Sequence, residues 1–426
     1  MLPVGLSESL LHFIWKMRLF RNEGLVTTDG ESVQVLHPGT HNHHSGPDFS
    51  NARIRIGNTL WAGNVELHVT SRQWYEHGHQ TDAAYNNVIL HVVYRHNLAA
   101  FPIPTLELEP YIDHRLLLHF RQMMETGSWI PCAAHHPLPP DLPLTPWLER
   151  LSVLRLEEKA IRLHTRLQAN TGDWNETAWQ LLARSMGNPV NAEPMEQLSR
   201  NVPLALLKRH VGQPLEMESI LLGTAGMLQG SFGELYPHKM QTDFRHWQKK
   251  YNLVTMDGSI WKFGRMRPGH FPTIRISQLA AIVRQTPHLL DSILHLDSKG
   301  LQHMLEVAAS PYWQEHYHFH KSGDATPRML GKQMIASIII NSIVPLRLLY
   351  AQLTDNTDQI EAALQLLSTL PPENNKIIRG WKKLGWSPEN AVQTQALLHL
   401  YKDFCVPKRC LDCQIGYHIL GKISYI

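Results

Sequence analysis

Residues 46–69 read GPDFSNARIRIGNTLWAGNVELHV. Asn64, Glu66 and His68 alternate with Val65, Leu67 and Val69. In a strand, that alternation puts a carboxylate and an imidazole on one face and three apolar side chains on the other. Burying such polar groups unpaired costs several kcal/mol each, on the order of 2–7 for neutral groups and more for charges. A divalent cation shared with Asp48, just upstream, would balance them. Gly57-Asn58 lies between extended stretches 52–56 and 60–69 and reads as a hairpin turn.

Working outward, Leu6, Leu10, Phe13 or Ile14, and Met17 recur at helical spacing, with Ser7 or Gly5 near the start. Asp29-Gly30 marks a turn between extended stretches 25–28 and 32–37. Residues 87–94, NVILHVVY, read as a central strand buried on both faces. The first segment therefore runs α-β-β-β-α-β. A helix over 113–125 leads to PLPPDLPLTP at 137–146, a linker by composition. Helical patterns dominate beyond it, at 147–168, 174–186, 215–228, 236–251, 276–284, 331–353, 359–367, 375–384 and 388–402. The expected fold class is α+β, with an α/β domain over 1–136, a linker over 137–146 and a helical domain over 147–426.

The chain has 426 residues, 27 of them histidine, and a formal net charge of +3, too small to demand a nucleic-acid partner. The N-terminus has no signal-peptide pattern, and the apolar run 334–353 is broken by Asn341, Pro345 and Arg347, so a buried helix is expected rather than a membrane span. Four cysteines and no export signal point to the cytoplasm.

Histidines crowd the neighbourhood of the motif: His41, His43 and His44 before it, His77 and His79 after it, and His91 in the central strand. For any one loop histidine, solvent exposure is the simpler expectation, and His91 reads as a hydrogen-bonded core residue. A zinc site built on His77-x-His79 is an alternative. Asp48, Glu66 and His68 together read as functional.

Pro47-Asp48, with Glu66 two residues before His68, resembles the PD-(D/E)xK nuclease superfamily. The resemblance implies a restriction-endonuclease-like core, with Asp48 and Glu66 binding Mg²⁺ or Mn²⁺ and the Leu67 carbonyl as a further ligand. It also implies that Glu8 or His12 on the first helix joins the metal. His68 stands where the superfamily has a lysine; it would orient or deprotonate the attacking water. Lys16 and Arg72 are the nearest candidates for a relocated cation. The implied activity is hydrolysis of DNA or RNA phosphodiesters. The missing lysine keeps two alternatives open: a nucleic-acid-binding protein without catalysis, and a His-assisted metal hydrolase of a small substrate. GPDFSNARI, GNVELHV, NNVILHVVY, RPGHFPTIRISQLA and CLDCQIG together look like the bacterial family called domain of unknown function 2851, a resemblance that spans nearly the whole chain and implies no particular activity.

Two further constellations stand apart. Cys405, Cys410 and Cys413 form C-x₄-C-x₂-C, and Cys132 or His418 would complete four ligands. Zn²⁺ is the expected occupant, a [4Fe–4S] cluster the alternative, and ordinary buried thiols the bland reading. Some RecB-like nucleases join one upstream cysteine to a C-terminal trio, which the cluster alternative resembles. Lys262, Arg265, Arg267 and Arg275 interleave with Trp261, Phe263 and Phe271, a pattern that suits nucleic acid and equally suits a structured loop.

Overall fold

The computed structural model describes residues 6–138, 144–319, 321–323 and 325–422. The chain divides into two compact units. The first joins Met1–Leu144 to Leu400–Ile426, and the second is Thr145–His399. Half of the proposed linker, residues 139–143, lies outside the described residues.

In the first unit, α1 (Glu8–Met17) starts at Ser7, whose hydroxyl accepts from the Leu10 N–H, and ends at Arg18 in the left-handed region. Its apolar face buries Leu10, Leu11, Ile14 and Trp15. Five strands form the main path of a mixed sheet in the order β1 (Val33–His37), β3 (Phe49–Ile56), β4 (Thr59–Thr70), β5 (Val88–Arg95), β6 (Thr105–Glu107). The short β2 (Thr40–His41) pairs with the start of β3. β1, β3 and β4 pair antiparallel, whereas β4, β5 and β6 pair parallel. A parallel neighbour requires a crossover, and residues 71–87 supply it with a helical turn α2 (Gln73–Glu76) and two 3-10 turns. β5 is buried along nearly all its length, as its apolar run predicts. Gly63 lets β4 and β5 come together: a Cβ there would stand 2.4 Å from Ile89 Cγ2 and 2.8 Å from the Asn87 carbonyl oxygen. Helix α3 (His114–Glu125) follows, with the Asp113 carboxylate accepting from the Arg115 N–H.

The C-terminal segment corrects the expected domain boundary. Residues 400–426 fold with the first unit and do not end the helical one. Tyr401 stacks on Trp129 at 4.9 Å, and the Lys408 ammonium donates to the Met124 carbonyl. These contacts give the segment an apolar and polar seat beside α3.

The second unit is helical apart from the two short strands His316–His318 and Lys321–Ser322. It contains α4 (Thr145–Ala169), α5 (Trp174–Met186), α6 (Asn188–Asn201) and later helices around a core that includes Trp179, Ile220, Leu279, Trp313 and Ile339. Helix 188–201 carries an internal proline, Pro194, and escaped the periodicity reading for that reason. Helix Lys332–Leu353 is long and apolar enough to cross a membrane by composition, yet Ile335, Ile338, Ile340 and Leu349 are buried in the protein core. One polar knot sits in this core. The buried Glu218 carboxylate accepts from Ser277 (2.6 Å), Tyr236 (2.9 Å), Ser310 (3.1 Å) and Trp313 Nε1 (3.1 Å). Four donors offset the desolvation of that group.

Candidate metal centre

Glu66 and His68 leave β4 on the same face and are almost wholly buried, at 4% and 1% exposure. Asp48 stands at the entry to β3, and two reciprocal bonds fix it to β4. Its N–H donates to Glu66 Oε2 (3.0 Å), while its own Oδ2 accepts from the Leu67 N–H (3.0 Å). Helix α1 packs on β4 and brings His12 Nε2 to 3.1 Å from Asp48 Oδ2. Glu8, one turn earlier, accepts from Gln73 Nε2 at 3.0 Å, and Gln73 in turn accepts from the Thr70 N–H. Lys16 and Arg72 are exposed, and neither pairs with Asp48 or Glu66.

The crossover after β4 adds two ligand-type groups that sequence reasoning left in the loop. Gly78 adopts φ +77, a left-handed conformation that reverses the chain after α2. That turn aims His77 and His79 back at β4. His79 Nε2 lies 3.2 Å from Glu66 Oε1, and His68 Nε2 lies 3.7 Å from the same oxygen. His68 Nε2 is 3.2 Å from His77 Nδ1, and His68 Nδ1 is 2.9 Å from His91 Nε2. One nitrogen from each of His68, His77 and His79 lies within 4.8 Å of the others. The signal for this was the His-x-His pair followed by a turn, with Gly78 between the two histidines. Tyr85 stacks on His79 at 3.8 Å, and Trp74 closes the side of the group against His79 and His91.

Burial dominates the electrostatics of the group. Burial, then the neighbouring Asp48 charge, push the Glu66 carboxyl up to about 8. Burial, then the other imidazoles, hold His68 down to about 2 and His91 down to about 3. His79 and His41 are also lowered, chiefly by burial. His12 Nε2 and His79 Nε2 sit at ion-pair distance from carboxylate oxygens yet lack hydrogen-bond geometry to them, so both buried nitrogens are orphaned. The orphaned His79 nitrogen beside Glu66 and the neighbouring His68 and His77 fit a cation: a carboxylate and three imidazoles form a donor set for Zn²⁺ or Mn²⁺, which prefer nitrogen ligands more than Mg²⁺ does.

The four thiols also come together. Cys132, Cys410 and Cys413 are buried and Cys405 is half-buried; none is in a disulfide. Burial raises all four, with Cys132 and Cys410 pushed up to about 12; the charges of neighbouring cysteines act in the same direction on Cys132, Cys405 and Cys410, and Asp412 does so on Cys413. Gly416 permits the last helix, Gln414–Gly421, to lie on Cys410, because a Cβ there would meet its carbonyl oxygen at 2.0 Å. Among the described residues, no three of these sulfurs lie within 4.8 Å of one another.

The basic cluster of the second unit is corrected in one member. Lys262, Arg265 and Arg267 are exposed, but Arg275 is 3% exposed. Pro272 starts its helix (Pro272–Gln285) earlier than periodicity indicated, which turns Arg275 inward to donate to Gln278 Oε1 at 2.8 Å. Burial lowers it to about 10, and it presents no cation to a ligand at the surface.

Residues 8–376 match the family model described as "Protein of unknown function (DUF2851)". The chain belongs to this family. The matched range contains the whole metal centre and Cys132, and it stops before the cysteine trio. Comparison with curated proteins and with solved structures returned no match.

Proposed function

We propose that the first unit is a divalent-metal-dependent hydrolase of nucleic-acid phosphodiesters. The observation that carries the reading is the convergence of Glu66 with His68 and His79 beside Asp48, with orphaned imidazole nitrogens aimed at carboxylate oxygens. The order of α1, three antiparallel strands, a helical crossover and a parallel strand supports the nuclease-like core. Glu66, His68, His77 and His79 would hold the metal, with Asp48 and His12 at its edge. A cation there supplies Lewis acidity toward a phosphoryl oxygen. His68, neutral at any physiological pH, acts as a ligand and not as the proton acceptor. His12 is partly exposed, with Nε2 3.1 Å from Asp48 Oδ2, so it is the imidazole that would take a proton from water.

Incubation of the purified chain with single- and double-stranded DNA and RNA, under Mn²⁺, Zn²⁺ or Mg²⁺ in turn, tests the reading. Cleavage that Glu66→Gln abolishes supports it. His68→Lys removes a ligand nitrogen and should lower cleavage; cleavage that survives or improves would move His68 from metal ligand to the water-positioning place of the superfamily lysine. A second reading, hydrolysis of a small substrate, draws on the three imidazoles of His68, at the place of the lysine, and of His77 and His79 from the crossover. Turnover of bis(p-nitrophenyl) phosphate without cleavage of any nucleic acid would select it. Metal binding with no turnover of either kind would leave a nuclease-like fold that binds without cutting.

We further propose that the four cysteines hold a [4Fe–4S] cluster. A single tetrahedral zinc with bonds of about 2.3 Å holds its sulfurs about 3.8 Å apart, whereas among the described residues no three of these thiols lie within 4.8 Å of one another. A cubane takes four thiolates at the corners of a larger tetrahedron. Iron and sulfide analysis with the visible spectrum of anaerobically purified protein decides between cluster, zinc and free thiols.

A further inference from the structure

The second unit contains a cationic cavity of about 460 Å³ that no part of the metal reading uses. Lys159, Arg162 and Arg166 enter it from successive turns of α4, and Arg184 enters from α5. No acidic residue lines it. Ser185, Ser337, Asn341 and Ser342 add hydroxyl and amide groups. We propose that this cavity binds the phosphoryl group of a nucleotide-sized ligand.

Three features carry the inference. The first is how the arginines are held. The buried Glu196 lies behind the cavity and pairs with Arg166 (2.9 Å), Arg184 (2.5 Å) and Arg200, while Glu193 takes Arg184 at 2.8 Å. Each guanidinium has five donors in a fixed fork, so anchoring one edge on Glu196 leaves the other edge pre-oriented for an anion. The second is charge balance. Arg162 is exposed and has neither an ion-pair nor a hydrogen-bond partner among the described residues. Lys159 Nζ donates to the neutral oxygens of Asn341 (2.8 Å) and Gln395 (2.7 Å). Glu193 and Glu196 offset Arg166 and Arg184, so Arg162 is the cation left for an anion, and a phosphoryl group can take it together with the remaining donors of the two anchored arginines. The third is the backbone. The helix over 332–353 widens into a π-turn at Ile339–Ile343, and Asn341 and Ser342 of that turn line the cavity. Single π-turns inside helices recur at ligand sites because they redirect side chains that a regular helix would align elsewhere. The volume suits a mononucleotide.

This inference stands apart from the metal reading of the first unit, and the test keeps them apart. The intact chain is titrated calorimetrically in EDTA with inorganic pyrophosphate, AMP, a 5′-phosphorylated trinucleotide and the same trinucleotide with a 5′-hydroxyl. Saturable binding of AMP or pyrophosphate, weakened roughly tenfold or more in Arg162→Ala and by added salt, is the expected result. Arg162 is exposed, so the variant keeps its fold, which circular dichroism checks. Tighter binding of AMP than of the phosphorylated trinucleotide identifies a free nucleotide as the source, and the reverse order identifies a nucleic-acid 5′ end. Absence of saturable binding by every phosphorylated probe overturns the proposal. So does equal binding of the 5′-hydroxyl trinucleotide, or unchanged affinity in Arg162→Ala.

Discussion

Glu66 keeps its proton up to about 8 in the folded metal-free chain, against 4.5 for an unperturbed glutamate. Between those values the folded state binds more protons than the unfolded one, so stability falls as pH rises through that window. His68 and His91 act oppositely. They stay neutral down to about 2 and about 3, so their contribution is complete above 6.5 and fades as pH drops. Two imidazoles outweigh one carboxyl below 6.5, so the site's contribution to metal-free stability peaks near that pH. Urea midpoints measured in EDTA from pH 4 to 9 should show the peak. Metal binding at pH 7 should release about one proton from Glu66, seen as a dependence of calorimetric enthalpy on the buffer's ionisation heat. Glu66→Gln should weaken metal affinity 100-fold or more and leave the metal-free chain as stable or more so, since a costly buried carboxyl is gone. At this scale the sequence showed Glu66 and His68 through strand alternation. The sequence offered His77-x-His79 as a zinc alternative but not their direction toward β4, which depends on one glycine's backbone angle and not on any periodicity.

Among elements, the β4–β5 contact has a definite weak point. Gly63→Ala places a Cβ against the Asn87 carbonyl, which belongs to the backbone and cannot rotate away. A loss of about 1–3 kcal/mol is expected, read from chemical denaturation. In the helical unit, Glu218→Ala leaves Ser277, Tyr236, Ser310 and Trp313 without their shared acceptor. That change should cost roughly 3 kcal/mol or more, and Ser277→Ala about 1. The hairpin at Gly57-Asn58 and the buried run of β5 were legible, since turn chemistry and hydrophobic pattern are local. The parallel register of β4 and β5 was not, because it depends on a crossover of short irregular turns. Helix 188–201 was obscured by Pro194, and the early start of 272–285 changed the role of Arg275 from surface cation to core residue.

For the molecule as a whole, the sequence placed one boundary well and another badly. The change from mixed to helical patterning near the proline run agrees with the division at Leu144 and Thr145. The return of 400–426 to the first unit left no compositional trace, because the segment looks like one more helix with cysteines. Deleting residues after His399 should therefore destabilise the first unit and remove three of its four thiols, while Thr145–His399 expressed alone should still unfold cooperatively. Limited proteolysis of the truncated chain is the direct check, with early cuts expected in the sheet unit and late ones in the helical unit.

That discontinuity sets an order on biosynthesis. A ribosome releases the strands that carry Asp48, Glu66 and His68 long before it releases Cys405, Cys410 and Cys413. The helical unit, contiguous in sequence, can close as soon as it emerges. The unit that contains the candidate metal centre must wait for residues after His399 to gain its last helix and three of its four thiols. Nascent chains stalled before residue 400 would carry the histidines and carboxylates in an unfinished fold, so the candidate centre is completed only after the helical unit has been made.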